Sequence, residues 1–280
     1  MYLDFALSTV WRALRIRDFV AQRTSLAGKR YLDVGCAYGG FLAAFADAGA
    51  SEVAGFDFNP QLLDYARALL ADYGVAARIE QASILDRGVI DRFGRFDVIT
   101  CNDVLEHVGD QSTALENLAH LLAPGGYMCL EIPNRFAATF VLSDGHFQKF
   151  GLTSLPKRLA DRRFEQEEHR EHDVTYRSLD WYVNRLSRAG LRVAVENLVT
   201  DPEAALGRSS ALFDEVEYRA KNTPGLDKAT VRYALRAARQ FRALHGSWRV
   251  QRSLEAGRRL AFTFCEEFWR LSVWRDAQLP

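Results

Sequence analysis

The chain has 280 residues, of which 48% are apolar, with 36 basic and 36 acidic side chains and no formal net charge. That apolar content supplies a large core, enough for one large α/β domain or for such a domain with an added subdomain. The balanced charge disfavours nucleic acid as a partner, since its binders usually carry a basic excess.

No apolar run approaches the ~18–20 residues that span a bilayer. The first residues include Asp4, Arg12, Arg15 and Arg17 and no apolar leader core, so a cytoplasmic protein with no transmembrane segment is expected. Cys36, Cys101, Cys129 and Cys265 lie far apart, with no Cys-x-x-Cys pair. Reduced thiols are expected rather than disulfides, and no metal centre.

Residues 1–27 read as a covering helix, with Val10, Trp11, Leu14, Phe19 and Val20 on or near one face. A strand over Tyr31–Val34 then runs into the turn Gly35-Cys36-Ala37-Tyr38-Gly39-Gly40, and a helix follows from about Phe41. Gly35, Gly39 and Gly40 let backbone approach a ligand, and the next helix offers its unpaired N–H groups there. Asp33 sharpens this signal: an acid would repel a pyrophosphate but would welcome a ligand bearing an amino group and a sulfonium cation. Asp33-Val-Gly-Cys-Ala-Tyr-Gly39 resembles the first motif of the class I, Rossmann-like S-adenosylmethionine-dependent methyltransferases. Ala37 departs from it where many members have glycine, a mild change if its φ is negative. The resemblance implies S-adenosylmethionine as cofactor, held by the turn through Asp33, Gly35, Cys36, Ala37 and Gly39.

The second strand, Glu52–Phe56, ends at Asp57, 18 residues beyond Gly39. At that spacing a carboxylate accepts hydrogen bonds from both ribose hydroxyls, in dinucleotide and adenosylmethionine sites alike. Phe58 could lie on the adenine face or be an ordinary core aromatic. Pro60 opens a helix to about Tyr73, and Ala77–Ala82 is the third strand. Where the family commonly has an acid for the adenine amino group, this chain has Ser83, a weaker hydrogen-bonding substitute, followed by Ile84, which could pack on the ring.

The fourth strand, Phe96–Cys101, leads to Asn102, Asp103 and the block Leu105-Glu-His-Val108. This resembles the fourth motif of the small-molecule, quinone-methylating and related methyltransferases. Asn102 and Asp103 stand at the strand edge where open α/β sheets bind ligands, on the methionine side of the implied cofactor. His107 is a base or a residue that orients the loop. A short helix over Leu115–Leu122, the turn Ala123-Pro-Gly-Gly126 and a fifth strand, Tyr127–Ile132, continue the pattern, so the resemblance covers about residues 28–134.

Residues 134–176 carry few strand or helix signals and read as a substrate-side insertion. Asp144–Pro156 loosely resembles an insertion of methyltransferases from polysaccharide and envelope pathways. His146, then His172, with Tyr176, are the acceptor-side candidates, while His169 and His172 also fit a solvated charged face. Leu179–Ala189 reads as a helix and Leu191–Val199 as a strand. Residues 201–257 read as a helical insertion whose arginines 232, 236, 239 and 242 form a stripe. For 258–280 either a strand or a helix completes the core.

The expected fold is α/β, a doubly wound, mostly parallel seven-stranded sheet with helices on both faces and a helical C-terminal insertion. The Rossmann-like core is placed at 28–200. The resemblance implies methyl transfer to a small or carrier-linked acceptor, at oxygen, with His146, His172 or His107 as base; a sugar, a polysaccharide-pathway compound or a secondary metabolite would serve. The alternatives are a scaffold subunit that has lost catalysis, a dinucleotide-dependent oxidoreductase and an RNA methyltransferase. Oligomeric state is not legible in the sequence.

Overall fold

The computed structural model describes residues 2–277, with side chains from Thr9 onward. Seven strands form one sheet: β1 (Arg30–Val34), β2 (Glu52–Asp57), β3 (Arg78–Gln81), β4 (Phe96–Asn102), β5 (Leu122–Pro133), β6 (Arg192–Glu196) and β7 (Phe268–Trp274). Their order is β3-β2-β1-β4-β5-β7-β6. β1 pairs in parallel with β2 and β4, as do β2 with β3 and β4 with β5. β7 reverses direction against β5: Arg275 N–H donates to the Gly126 carbonyl, while Asn134 N–H donates to that of Glu267. The chain leaves β1 toward β2 and later returns to β4 on its other side. That reversal opens a crevice at the carboxyl ends of β1 and β4, where open α/β sheets bind ligands.

By its contacts the chain divides into two compact units, the first comprising Met1–Ile132, Arg177–Val195 and Arg270–Pro280. Its helices are α1 (Tyr2–Ala21), α2 (Gly40–Asp47), α3 (Pro60–Asp72), α4 (Gly88–Phe93), α5 (Gln111–Leu121) and α8 (Leu179–Arg188). Two caps explain where helices start. Asn59 accepts from Gln61 N–H with Pro60 at the first position of α3. Asp110 accepts from Ser112 and Thr113 N–H, which begins α5 four residues before the apolar periodicity that marks Leu115. β1, α1 and α2 share a core in which the Tyr31 and Phe45 rings stack at 3.9 Å. α1 reaches α2 because Gly40 has no side chain: a Cβ there would lie 2.8 Å from the backbone of Thr9. Pro124 and Gly125 form no free-standing turn before β5; they bulge within it, between the Phe96–Leu122 and Val98–Tyr127 pairs.

The second unit comprises Pro133–Tyr176 and Glu196–Trp269. It contains α6 (Ala138–Leu142), α7 (Lys157–Glu168), α9 (Pro202–Asn222), α10 (Lys228–Gln251) and α11 (Leu254–Phe264). The stretch 134–176 is thus more ordered than its sequence signals suggest. α7 was hidden because it buries only Ala160 and Phe164, too few apolar positions to register as a period. Residues Leu260–Phe264 are helical, and the last strand begins at Phe268. Phe213, Phe241 and Phe264 centre the core of this unit, on α9, α10 and α11. On α10, Ala234, Ala238, Phe241 and Trp248 face that core, while arginines 232, 236, 239 and 242 are exposed. Arg242 there pairs with Asp214 at 2.7 Å.

Candidate functional site

The turn after β1 is shaped by three residues of positive φ, Gly35, Ala37 and Gly39. Gly35 has φ of 74°, and a Cβ on it would fall 2.3 Å from a methyl of Val104. Its N–H donates to the Phe56 carbonyl at 2.9 Å, as that of Cys36 does at 3.1 Å. Ala37 also has a positive φ, 40°. The change from glycine is therefore a strained one, contrary to the mild substitution expected for a negative φ. Gly39 donates its N–H to the Cys36 carbonyl and stands immediately before α2. The Cys36 thiol packs into the core, and burial raises its pKa well above the ordinary thiol range.

The carboxyl ends of the strands bring three predicted polar groups to one edge of the first unit. Asp57, ending β2, accepts from Ala37 N–H at 3.1 Å and from Asn59 N–H at 2.9 Å. Its carboxylate therefore fixes the glycine-rich turn and the start of α3 together. Phe58 beside it is 72% exposed, so the ordinary core reading of that ring does not hold. Asn102, ending β4, has both side-chain amide atoms buried and without a hydrogen-bond partner. Such a group is costly unless something pairs with it.

Asp33 is nearly buried, and the Thr100 hydroxyl donates to its carboxylate at 2.6 Å. Burial raises its pKa to about 7; the Thr100 bond and the positive charge of Arg12 oppose the rise, and the charge of Asp57 adds to it. Asp103 adopts a left-handed φ of 54° and pairs closely with Arg12 of α1. Burial raises Asp103 to about 6 against the attraction of Arg12. Arg12 also donates to Glu131 at 3.2 Å, and Glu131 is held in turn by Arg270. Sequence reasoning missed Thr100, Arg12, Glu131 and Arg270, because nothing local links these positions.

The two residues expected on the adenine side already have partners in the protein. The Ser83 hydroxyl accepts from Leu85 N–H at 3.2 Å and keeps its own proton to donate. Ile84 is buried, and its carbonyl accepts from Asn117 at 2.7 Å.

His107 is exposed in the 3-10 turn Leu105–His107 of the first unit. The other two candidate bases belong to the second unit. His146 is half-buried, its Nδ1 3.3 Å from the Tyr176 hydroxyl. His172 is only 4% exposed, which overturns the solvated-face reading. Its Nδ1 lies 2.7 Å from Asp161, and its ring packs against Phe147 and Phe164.

An adenosyl ligand with an ammonium and a sulfonium fits the first unit on two counts. The unpaired Asn102 amide offers a donor and an acceptor, and Asp33 and Asp57 supply carboxylates. Among the described residues no helix is long and apolar enough to cross a membrane.

A family model described as a methyltransferase domain matches residues 10–196. The chain is 38% identical over 130 residues to a ubiquinone biosynthesis O-methyltransferase of Thiobacillus denitrificans, covering 46% of this chain and 55% of that one. It thus spans about half the length of the curated relatives it matches. Among solved structures, the YcgJ protein of Bacillus subtilis shares the fold at a TM-score of 0.54 and 15% identity, over 95% of this chain and 98% of that one. Magnesium protoporphyrin IX methyltransferase of Synechocystis, solved with bound S-adenosylhomocysteine, matches at a TM-score of 0.50 and 17% identity over 68% of this chain and 77% of that one. With a doubly wound seven-stranded sheet, the glycine-rich turn after β1 and a family match over two thirds of its length, the chain belongs to the methyltransferase-domain family.

Proposed function

We propose that the chain is an enzyme that transfers the methyl group of S-adenosylmethionine to a hydroxyl oxygen of a small or carrier-linked acceptor. The observation that carries this reading is the unpaired, buried Asn102 amide, at the same sheet edge as Asp33 and Asp57. Oxygen as the acceptor atom is supported by the O-methyltransferase name of the curated relatives.

When bound, the cofactor supplies an electrophilic methyl on a sulfonium, whose S–C bond breaks with its electron pair returning to sulfur. The residues of the chain supply position and charge. Asp57 takes the ribose hydroxyls, while Asn102 and ionised Asp33 take the methionine end. Phe58, Ser83 and Ile84 would hold the adenine, offering an exposed ring, a hydroxyl proton and an apolar side chain. Holding the reacting atoms in line at roughly 3 Å supplies much of the rate. As the new O–C bond forms, the hydroxyl proton must pass to a base, for which His146, its Nδ1 beside the Tyr176 hydroxyl, is the first candidate. His172, enclosed by Phe147, Phe164 and Asp161, has a structural role in this scheme.

Calorimetric titration with S-adenosylhomocysteine, with NAD as control, tests the cofactor class. Micromolar binding of the first and none of the second is expected. Binding of NAD alone would move the chain to the oxidoreductases.

A further inference from the structure

The second unit holds a half-buried cation, Arg135, one of whose donors has no partner. Arg135 comes two residues after Pro133, the last residue of β5. Its guanidinium donates from Nη2 to the Leu155 carbonyl at 2.6 Å and lies 5.7 Å from the Phe136 ring. Its Nε is buried with no hydrogen-bond partner. Among the described residues no carboxylate lies within ion-pair distance of it.

The neighbouring charges are already matched. Lys157 Nζ donates to Asp161 at 2.5 Å and to the His172 carbonyl at 3.0 Å, and Asp161 also holds the His172 ring. Burial lowers the pKa of Arg135, and Tyr176 offsets this in part. A guanidinium stays charged at any physiological pH, so it has no neutral form to retreat to. An incoming anion would meet the unpaired N–H and the positive charge together.

Arg135, Lys157, His172 and Tyr176 wall one cleft, with Leu155 and Val174 as its apolar sides. We propose that this cleft of the second unit is a binding site for the carboxylate group of a small molecule. The enclosed volume is about 10 Å³, room for one water-sized group. One oxygen of a carboxylate enters such a space, with the second at the mouth. A guanidinium is suited to both carboxylate oxygens, because its parallel N–H groups match their spacing.

The test uses the full chain with benzoate as probe, benzamide as its neutral counterpart and inorganic phosphate as the rival anion, followed by NMR titration. Benzoate is expected to bind at least tenfold more tightly than benzamide, and Arg135→Met to weaken benzoate at least tenfold. Arg135→Lys, which keeps the charge and loses the fork, should fall between. S-adenosylhomocysteine affinity should be unchanged in both variants. Equal binding of benzoate and benzamide, an unaffected Arg135→Met, or tighter binding of phosphate than of benzoate would each overturn the proposal. If Arg135→Met does not fold, the benzoate–benzamide contrast in the unaltered chain decides. Binding of benzoate without any binding of S-adenosylhomocysteine would keep the carboxylate site and reject methyl transfer.

Discussion

The Thr100 hydroxyl donates to the Asp33 carboxylate at 2.6 Å, across the β1–β4 pair and inside the sheet. The Tyr31 hydroxyl meets the same Thr100 oxygen at 2.5 Å, so one hydroxyl serves two buried groups. Thr100→Val keeps the shape and removes both bonds. Stability should fall by about 2–4 kcal/mol, the cost of two unsatisfied buried groups. The Asp33 pKa should rise further, since a bond that lowers it is lost. Urea unfolding and carboxyl carbon NMR read the two effects.

The acids of the site set a pH dependence of uncommon sign. Asp33 is raised from 3.8 to about 7 and Asp103 from 3.8 to about 6, both chiefly by burial. Between about pH 4 and 7 the folded chain keeps protons that the unfolded chain has released, so stability falls as pH rises through that window. For Asp33 the whole effect is on the order of 4 kcal/mol. Asp33→Asn should remove the part of the decline nearest pH 7, seen as a flatter urea midpoint against pH. Affinity for S-adenosylhomocysteine should move the opposite way, rising with pH to about 7 because its ammonium favours the ionised acid.

Asp57 couples structure to binding. Its two oxygens anchor the N–H groups of Ala37 and Asn59. Asp57→Ala should weaken S-adenosylhomocysteine at least about a hundredfold, as two hydrogen bonds to a charged group are lost. Calorimetry reads this directly, and an unchanged affinity would sink the ribose assignment.

The glycine-rich turn makes opposite predictions at two neighbouring positions. Gly35→Ala brings a Cβ against Val104 at a φ of 74°, which should cost more than the roughly 1–2 kcal/mol of left-handed strain alone. Adding Val104→Ala should recover the clash but not the strain. Ala37→Gly relieves a φ of 40° and should leave stability unchanged or raise it by up to about 1 kcal/mol, after the entropy cost of glycine. Thermal unfolding ranks the variants.

His146 and His172 separate by readout. His172→Ala opens a cavity between Phe147 and Phe164 and removes one of the two partners of Asp161, for a loss of about 2–4 kcal/mol in stability. His146→Ala should leave stability and S-adenosylhomocysteine affinity nearly intact while lowering kcat by about a hundredfold or more. Denaturant unfolding beside steady-state kinetics distinguishes the pair.

The alternation of apolar strands with helices, the acid before Gly35 and the acid ending β2 are local patterns, so the sequence by itself determined the sheet, its turn and the carboxyl-end positions of Asp33, Asp57 and Asn102. Those features depend on residues within a few positions of one another, where periodicity and turn chemistry act directly. Backbone angles needed the folded chain: the positive φ of Ala37 follows from its N–H reaching Asp57, twenty residues away. The same holds for α7, whose two buried residues give no period, and for the burial of His172 among Phe147, Phe164 and Asp161. Only tertiary structure decided that Arg12 would meet Asp103 and Glu131, that Thr100 would hold Asp33, and that Arg135 would be left without a counter-charge. Pairing and burial are set by which distant segments pack together, and no local run of residues encodes them.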